Sequence, residues 1–164
     1  MLKSLITVAA VMTTIAAGVT VLNQSAPRAE AHCQVPCGIF DEKARIKALY
    51  EDATTIEKAM NEMNKLAGKD DAQSQQQFVR WTIAKEEHAS RIITVTSEYF
   101  LTQKLKKVDK GDDGYPAYLS SLELHHELLI AAMKSKQTTD TAAVKRLNEA
   151  IHGIQHVWEP DHKH

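Results

Sequence analysis

Residues 41–68, DEKARIKALYEDATTIEKAMNEMNKLAG, decide the fold. Apolar side chains recur there at alternating spacings of three and four, the period of one face of an α-helix. These residues are Ile46, Leu49, Ala53, Ile56, Met60, Met63 and Ala67. Asp41 fits an N-cap and Gly68 fits the position just past a helix end. The stretch predicts a long amphipathic helix whose apolar face must be covered by other elements.

Three further segments repeat this period. The second contains Phe78, Trp81, Lys85, His88, Ile92, Val95 and Tyr99; the third contains Leu119, Leu122, His126, Leu129 and Met133; the fourth contains Val144, Leu147, Ile151, Ile154 and Trp158. The connections are short, and strand-length alternation of apolar and polar residues is hard to find. Residues 41–164 are therefore predicted to form an all-α, antiparallel, up-down four-helix bundle.

Composition excludes several classes of function. The chain has 20 Lys and Arg against 21 Asp and Glu, and this balance provides no basic surface for nucleic acid. Two cysteines are too few for a disulfide scaffold or a Cys₄ zinc site. The 43% share of hydrophobic residues is that of a globular protein.

The first 31 residues have the organisation of a signal peptide. Lys3 precedes an apolar stretch from Leu5 to Leu22, and the segment ends in AEA at residues 29–31. This small-x-small pattern predicts cleavage before His32 and export to the periplasm or the extracellular space. An uncleaved membrane anchor is the alternative, because the apolar stretch is close to the minimum length of a span. No later segment is apolar enough to span a membrane, so none is expected in the cleaved protein.

Cleavage would place HCQVPCG, residues 32–38, at a new N-terminus. The donors there are the α-amine and imidazole of His32 and the thiolates of Cys33 and Cys37. The amine, the Cys33 amide nitrogen and the two thiolates can form a planar N₂S₂ set, which suits Ni(II) or Cu(II), and the imidazole could then occupy an axial position. A disulfide or thiol redox pair between the two cysteines is the other interpretation in an exported protein. The residues alone leave both open.

The segment HCQVPCGIFD, residues 32–41, resembles the nickel hook of nickel superoxide dismutases. Shorter stretches also resemble this family: TTIEK (54–58), VRW (79–81), KEEHA (85–89), EYF (98–100) and KQTTD (136–140). The resemblance implies a hook over residues 32–40 on a four-helix-bundle subunit of a homohexamer.

The same resemblance implies one nickel ion per subunit, held by His32, Cys33 and Cys37. The implied reaction is the disproportionation of superoxide to O₂ and H₂O₂ with nickel alternating between Ni(II) and Ni(III). Phe40 stands where many members have a tyrosine, so the ring is kept and the hydroxyl is lost. Tyr99 matches the family's other site tyrosine. His88 stands where some members have an arginine that supports the axial histidine, and the alternative for His88 is an ordinary position between helices.

Three other functions remain as alternatives. One is an exported nickel- or copper-binding protein without turnover, and another is a non-metal interaction module with a Cys33–Cys37 disulfide. The third is a di-iron-type bundle using two Glu-x-x-His pairs, at Glu123 with His126 and at Glu149 with His152. The last is disfavoured because the period of the fourth segment turns its pair outward. His152 and His156, one helical turn apart, could also capture a metal ion.

Overall fold

The computed structural model describes residues 42–159, and this part of the chain is all-helical. The helices are α1 (Glu42–Leu66), α2 (Ala72–Thr94), α3 (Tyr115–Lys136) and α4 (Ala142–Trp158). A π-helical segment, Val95–Lys104, continues α2. The predicted signal peptide, the hook and the Asp41 cap lie outside the described residues.

The helices run up and down around one core, as predicted. Near the start of α1, the Tyr50 hydroxyl donates to the Gln155 side-chain carbonyl near the end of α4 (3.0 Å). Near the end of α1, the Asn64 amide donates to the Thr139 carbonyl just before α4 (3.0 Å). The two helices are therefore antiparallel. α1 packs on α2 and α4, and α3 packs on the same two helices. Across residues 42–159 no helix has the length and apolarity needed to cross a membrane.

The apolar faces of α1 and α4 form the centre of the core. The predicted positions from Ile46 to Met63 are all buried, whereas Ala67 is exposed. In α4 the four predicted aliphatic positions are buried: Val144, Leu147, Ile151 and Ile154. Each large side chain removed from water in this way contributes about 1.5–3 kcal/mol. Gly68 lies two residues past the end of α1, and its φ of +81° is the left-handed conformation that favours glycine at this position.

The predicted register of α3 is wrong by one residue at its centre. His126 was expected on the buried face, but His125 is fully buried and His126 is exposed. Leu119 and Met133, also predicted to be buried, are 45% and 44% exposed. The cause is that apolar residues surround most of this helix, so their spacing alone does not decide which face turns inward.

Lys85 of α2 is buried and reaches the C-terminal end of α3. Its ammonium donates to the Ser135 carbonyl (3.3 Å), to the Thr138 carbonyl (3.4 Å) and to the Lys136 carbonyl. These carbonyls have no partner within the helix, and a positive charge at a helix C-terminus is favourable. Within the subunit, Lys85 therefore caps the C-terminal end of a neighbouring helix.

Candidate metal centre and its surroundings

The predicted nickel ligands His32, Cys33 and Cys37, together with Phe40, lie outside the described residues. Both cysteines of the chain are in this hook. Within residues 42–159, no three His, Asp, Glu or Cys side chains converge in a way that could hold a metal ion. The helical part of the chain that the structure describes therefore offers no closed metal site of its own, and the thiolates that suit nickel belong to the hook.

Tyr99, the predicted site tyrosine, lies in the π-helical segment. Tyr99 and its neighbour Phe100 are both buried, with ring centroids 5.1 Å apart in an edge-to-face arrangement. Because a π-helical turn is wider than an α-helical turn, the segment changes the register at which side chains face the core. π-Helical turns are frequent at functional sites.

The Tyr99 hydroxyl faces the first turn of α1. It donates to a Glu42 carboxylate oxygen (3.4 Å), and the Arg45 guanidinium lies 5.0 Å from the centre of the Tyr99 ring. The Lys104 ammonium pairs with Glu42 and lowers the pKa of that carboxyl. Burial, followed by the charge of Glu42, raises the pKa of Tyr99. The phenol therefore remains protonated at neutral pH and keeps the proton that it donates to Glu42.

Chain connectivity relates this cluster to the hook. Cys37 precedes Glu42 by five residues. A fully extended chain spans about 3.6 Å per residue, so the Cα atoms of Cys37 and Glu42 are at most about 18 Å apart. The start of α1, which the hook precedes in the sequence, lies at the end of the bundle where Tyr99 is.

His88 is held by a buried carboxylate of α1. Its Nδ1 lies 2.6 Å from Asp52 Oδ1, and Arg91 donates to the same oxygen from 2.9 Å. Asp52 is 3% exposed, and the His88 side chain is 23% exposed. His88 precedes Tyr99 by eleven residues, which corresponds to about 16 Å along the helix axis. Within one subunit, the structure does not bring these two predicted site residues together.

His125 belongs to an aromatic cluster beneath Tyr99. Trp158 Nε1 donates to His125 Nε2 (3.0 Å), and His125 Nδ1 donates to the Ser121 carbonyl (2.6 Å). The Phe100 ring packs against both the Trp158 ring and the His125 ring, at centroid distances of 5.4 and 5.8 Å. Burial lowers the pKa of His125. With both ring nitrogens engaged, this neutral histidine is a structural residue rather than a metal ligand.

The di-iron interpretation is not supported. Glu123 and His126 of the first Glu-x-x-His pair are exposed on α3, and Glu149 of the second is exposed on α4. In such proteins these side chains project into the bundle core. Here the described core positions of the two helices are occupied mainly by aliphatic residues and the structural His125.

Sequence reasoning missed the partners of Tyr99 and His88. Asp52 carried a weak signal, because it is a charged residue directly beside the buried position Ala53. Glu42 and Lys104 carried no such signal in the sequence, because they are 62 residues apart and only the fold brings them together.

Comparison with known families decides the assignment. The family model of nickel-containing superoxide dismutase matches residues 27–162. The chain belongs to this family. Searches of curated proteins and of solved structures each find no match.

The matched range includes the hook positions and all four helices of the bundle. As a member of the nickel-containing superoxide dismutases, the protein is an oxidoreductase that acts on superoxide and uses nickel as its cofactor. The donor types of the hook fit that metal, since thiolate and imidazole are ligands that nickel accepts.

Proposed function

We propose that this superoxide dismutase builds its nickel centre from the hook, residues 32–40, after removal of residues 1–31. His32 would contribute its amine and imidazole, Cys33 its amide nitrogen and thiolate, and Cys37 its thiolate. The observation that carries the proposal is the family match over residues 27–162, in a chain whose cysteines both lie in the hook.

Cleavage before His32 is a chemical requirement of this ligand set. It converts an amide nitrogen into an α-amine with a pKa of about 7.7–8.0, which loses its proton readily to a metal. The same step is the usual mark of export through a signal peptide. We therefore place the mature enzyme in the periplasm or the extracellular space.

Bound nickel would supply the one-electron steps between Ni(II) and Ni(III) that the disproportionation of superoxide needs. The anionic thiolates and amide nitrogen of the hook favour the higher oxidation state. Phe40 has a ring without a hydroxyl, so Tyr99 is the hydroxyl we assign to the approach to the centre. Its hydrogen bond to Glu42 fixes its direction, and its raised pKa keeps its proton. We assign His88 a supporting role that depends on its contact with Asp52.

Self-association is supported by the outer face of α3. Leu119 and Met133 are exposed there, and Leu122 and Leu129 on the same stripe are only partly covered. A second copy of the chain would remove this stripe from water, and exposed apolar stripes commonly mark such contacts. We propose a homo-oligomer, and the number six comes from the family resemblance.

Two single variants test the ligand assignment. Cys33→Ser or Cys37→Ser should abolish both nickel retention by the hook and superoxide dismutation, because one thiolate is lost from a set that needs both. Far-UV circular dichroism should remain unchanged, since the four helices begin at Glu42, beyond the hook. Full activity in either variant would contradict the assignment. Nickel retention without turnover in the unmodified protein would instead favour a nickel-binding protein.

A further inference from the structure

One face of α4 carries two histidines that the nickel centre does not use. His152 and His156 are four residues apart, and their ring centroids lie 4.4 Å apart with the ring planes at 88°. His156 is exposed and His152 is partly exposed. Two histidines spaced i, i+4 on one helix face can bind the same metal ion, and imidazole suits nickel, copper and zinc.

The position of this pair relates it to the hook. His152 lines a groove of about 450 Å³ between α1 and α4, which is also lined by Lys43, Tyr50 and Glu159. Lys43 is only three residues beyond Phe40, the last residue of the hook. A fully extended chain from Cys37 to Lys43 spans at most about 22 Å. His152 therefore borders the same groove as the start of α1, which the hook precedes in the sequence.

The charges around the pair are mixed. Glu149 lies one turn before His152, and Glu159 follows His156 at the end of α4, where its carboxylate accepts a hydrogen bond from Gln155 (3.3 Å). Across the groove, α1 contributes two cations, Lys43 and Lys47. Within the described residues no third His, Asp or Glu completes a metal-binding group. A metal ion bound here would keep water in its remaining positions and could be exchanged.

We propose that His152 and His156 form a two-point chelate for Ni²⁺ and hold the ion for transfer to the hook. The binding part stands on the geometry of α4 alone. The transfer part rests on the proposed nickel centre of residues 32–40. The structural reason for transfer is the groove that runs from His152 to the first turn of α1.

Binding is tested in a chain that begins at His32 and carries His32→Ala, Cys33→Ser and Cys37→Ser, which removes the hook side-chain donors. Equilibrium dialysis against NiCl₂ should show one bound equivalent, and adding His152→Asn and His156→Asn should abolish it. The control is His126→Asn, an exposed histidine on α3 that should leave binding unchanged. Equal binding with and without the α4 pair would overturn the proposal. Loss on replacing His162 and His164 instead would also overturn it.

Transfer is tested in the chain with an intact hook. At substoichiometric Ni²⁺, the variant lacking both α4 histidines should load its hook several-fold more slowly, as followed by thiolate-to-nickel absorption. Its final hook occupancy, read from the same absorption, and its activity at excess Ni²⁺ should equal those of the unmodified chain. Equal loading rates would refute the transfer. If the hook takes up no nickel in any chain while α4 still binds it, the proposed centre and the transfer fail, and the α4 site stands.

Discussion

The buried His125 predicts a specific dependence of stability on pH. In the folded protein Nε2 accepts from Trp158 and Nδ1 donates to Ser121, so the ring is neutral and has no room for a second proton. Burial holds its pKa below the ordinary value. In the unfolded chain the same imidazole titrates near pH 6.5. Below that pH the unfolded state takes up a proton that the folded state rejects.

The sign and size of the effect follow from this difference. The unfolded state binds more protons, so the free energy of unfolding decreases as the pH falls through 6.5. For a histidine that stays neutral when folded, lowering the pH from 7.5 to 5.5 removes up to about 1.4 kcal/mol. Carboxylates remain largely ionised in this range, which separates their contribution from that of His125.

Urea unfolding followed by far-UV circular dichroism at pH 7.5, 6.5 and 5.5 measures the effect. The unmodified protein should lose the stated free energy, and His125→Asn should lack this loss although it is less stable at pH 7.5. His126→Asn is the matched control, because the neighbouring histidine is exposed and should leave the pH dependence intact. The reasoning is refuted if the unmodified protein and His125→Asn show the same pH dependence.

The remaining predictions concern helix capping, the site tyrosine and assembly. Lys85→Met should lower the free energy of unfolding in urea by about 2–4 kcal/mol, because three carbonyls lose an ammonium donor. Lys136→Met should lower it by less than about 1 kcal/mol. Equal losses would disprove the capping role of Lys85. Tyr99→Phe should lower the dismutation rate. It should change the free energy of unfolding by less than about 1 kcal/mol, because the hydrogen bond from Tyr99 to Glu42 is long. An unchanged rate would show that Tyr99 does not belong to the site. Leu119→Ser combined with Met133→Ser should shift size-exclusion elution toward a smaller species with unchanged helicity, and an unaltered elution volume would exclude this face as the contact.

The buried face of a helix was predictable where the apolar residues lie on one side of it. In α1 and α4 the apolar residues occupy a single face, so their spacing identified the buried positions. In α3 the apolar residues occupy several faces. The helical period therefore predicted that His126 is buried, whereas its neighbour His125 is the buried histidine. There the choice depends on tertiary contacts, such as the hydrogen bond from Trp158, which a helical period does not contain.

The surroundings of the site were less predictable than its residue types. Tyr99 was identified from the family resemblance, but its partners Glu42 and Lys104 come from distant parts of the chain. The π-helical segment that contains Tyr99 had no recognisable signal in the sequence. The buried Asp52 likewise became interpretable only once His88 and Arg91 were seen to share it.

The central claim is that the free amine of His32 completes the nickel centre, and lengthening the N-terminus by one residue tests it most directly. Two chains are compared, one beginning at His32 and the other retaining Ala31 before it. Nickel held in the hook, read from thiolate-to-nickel absorption, and superoxide dismutation are measured on both. We expect the longer chain to lose both, because its amine is displaced and His32 is left with an amide nitrogen. Full nickel content and full activity in the longer chain would contradict it.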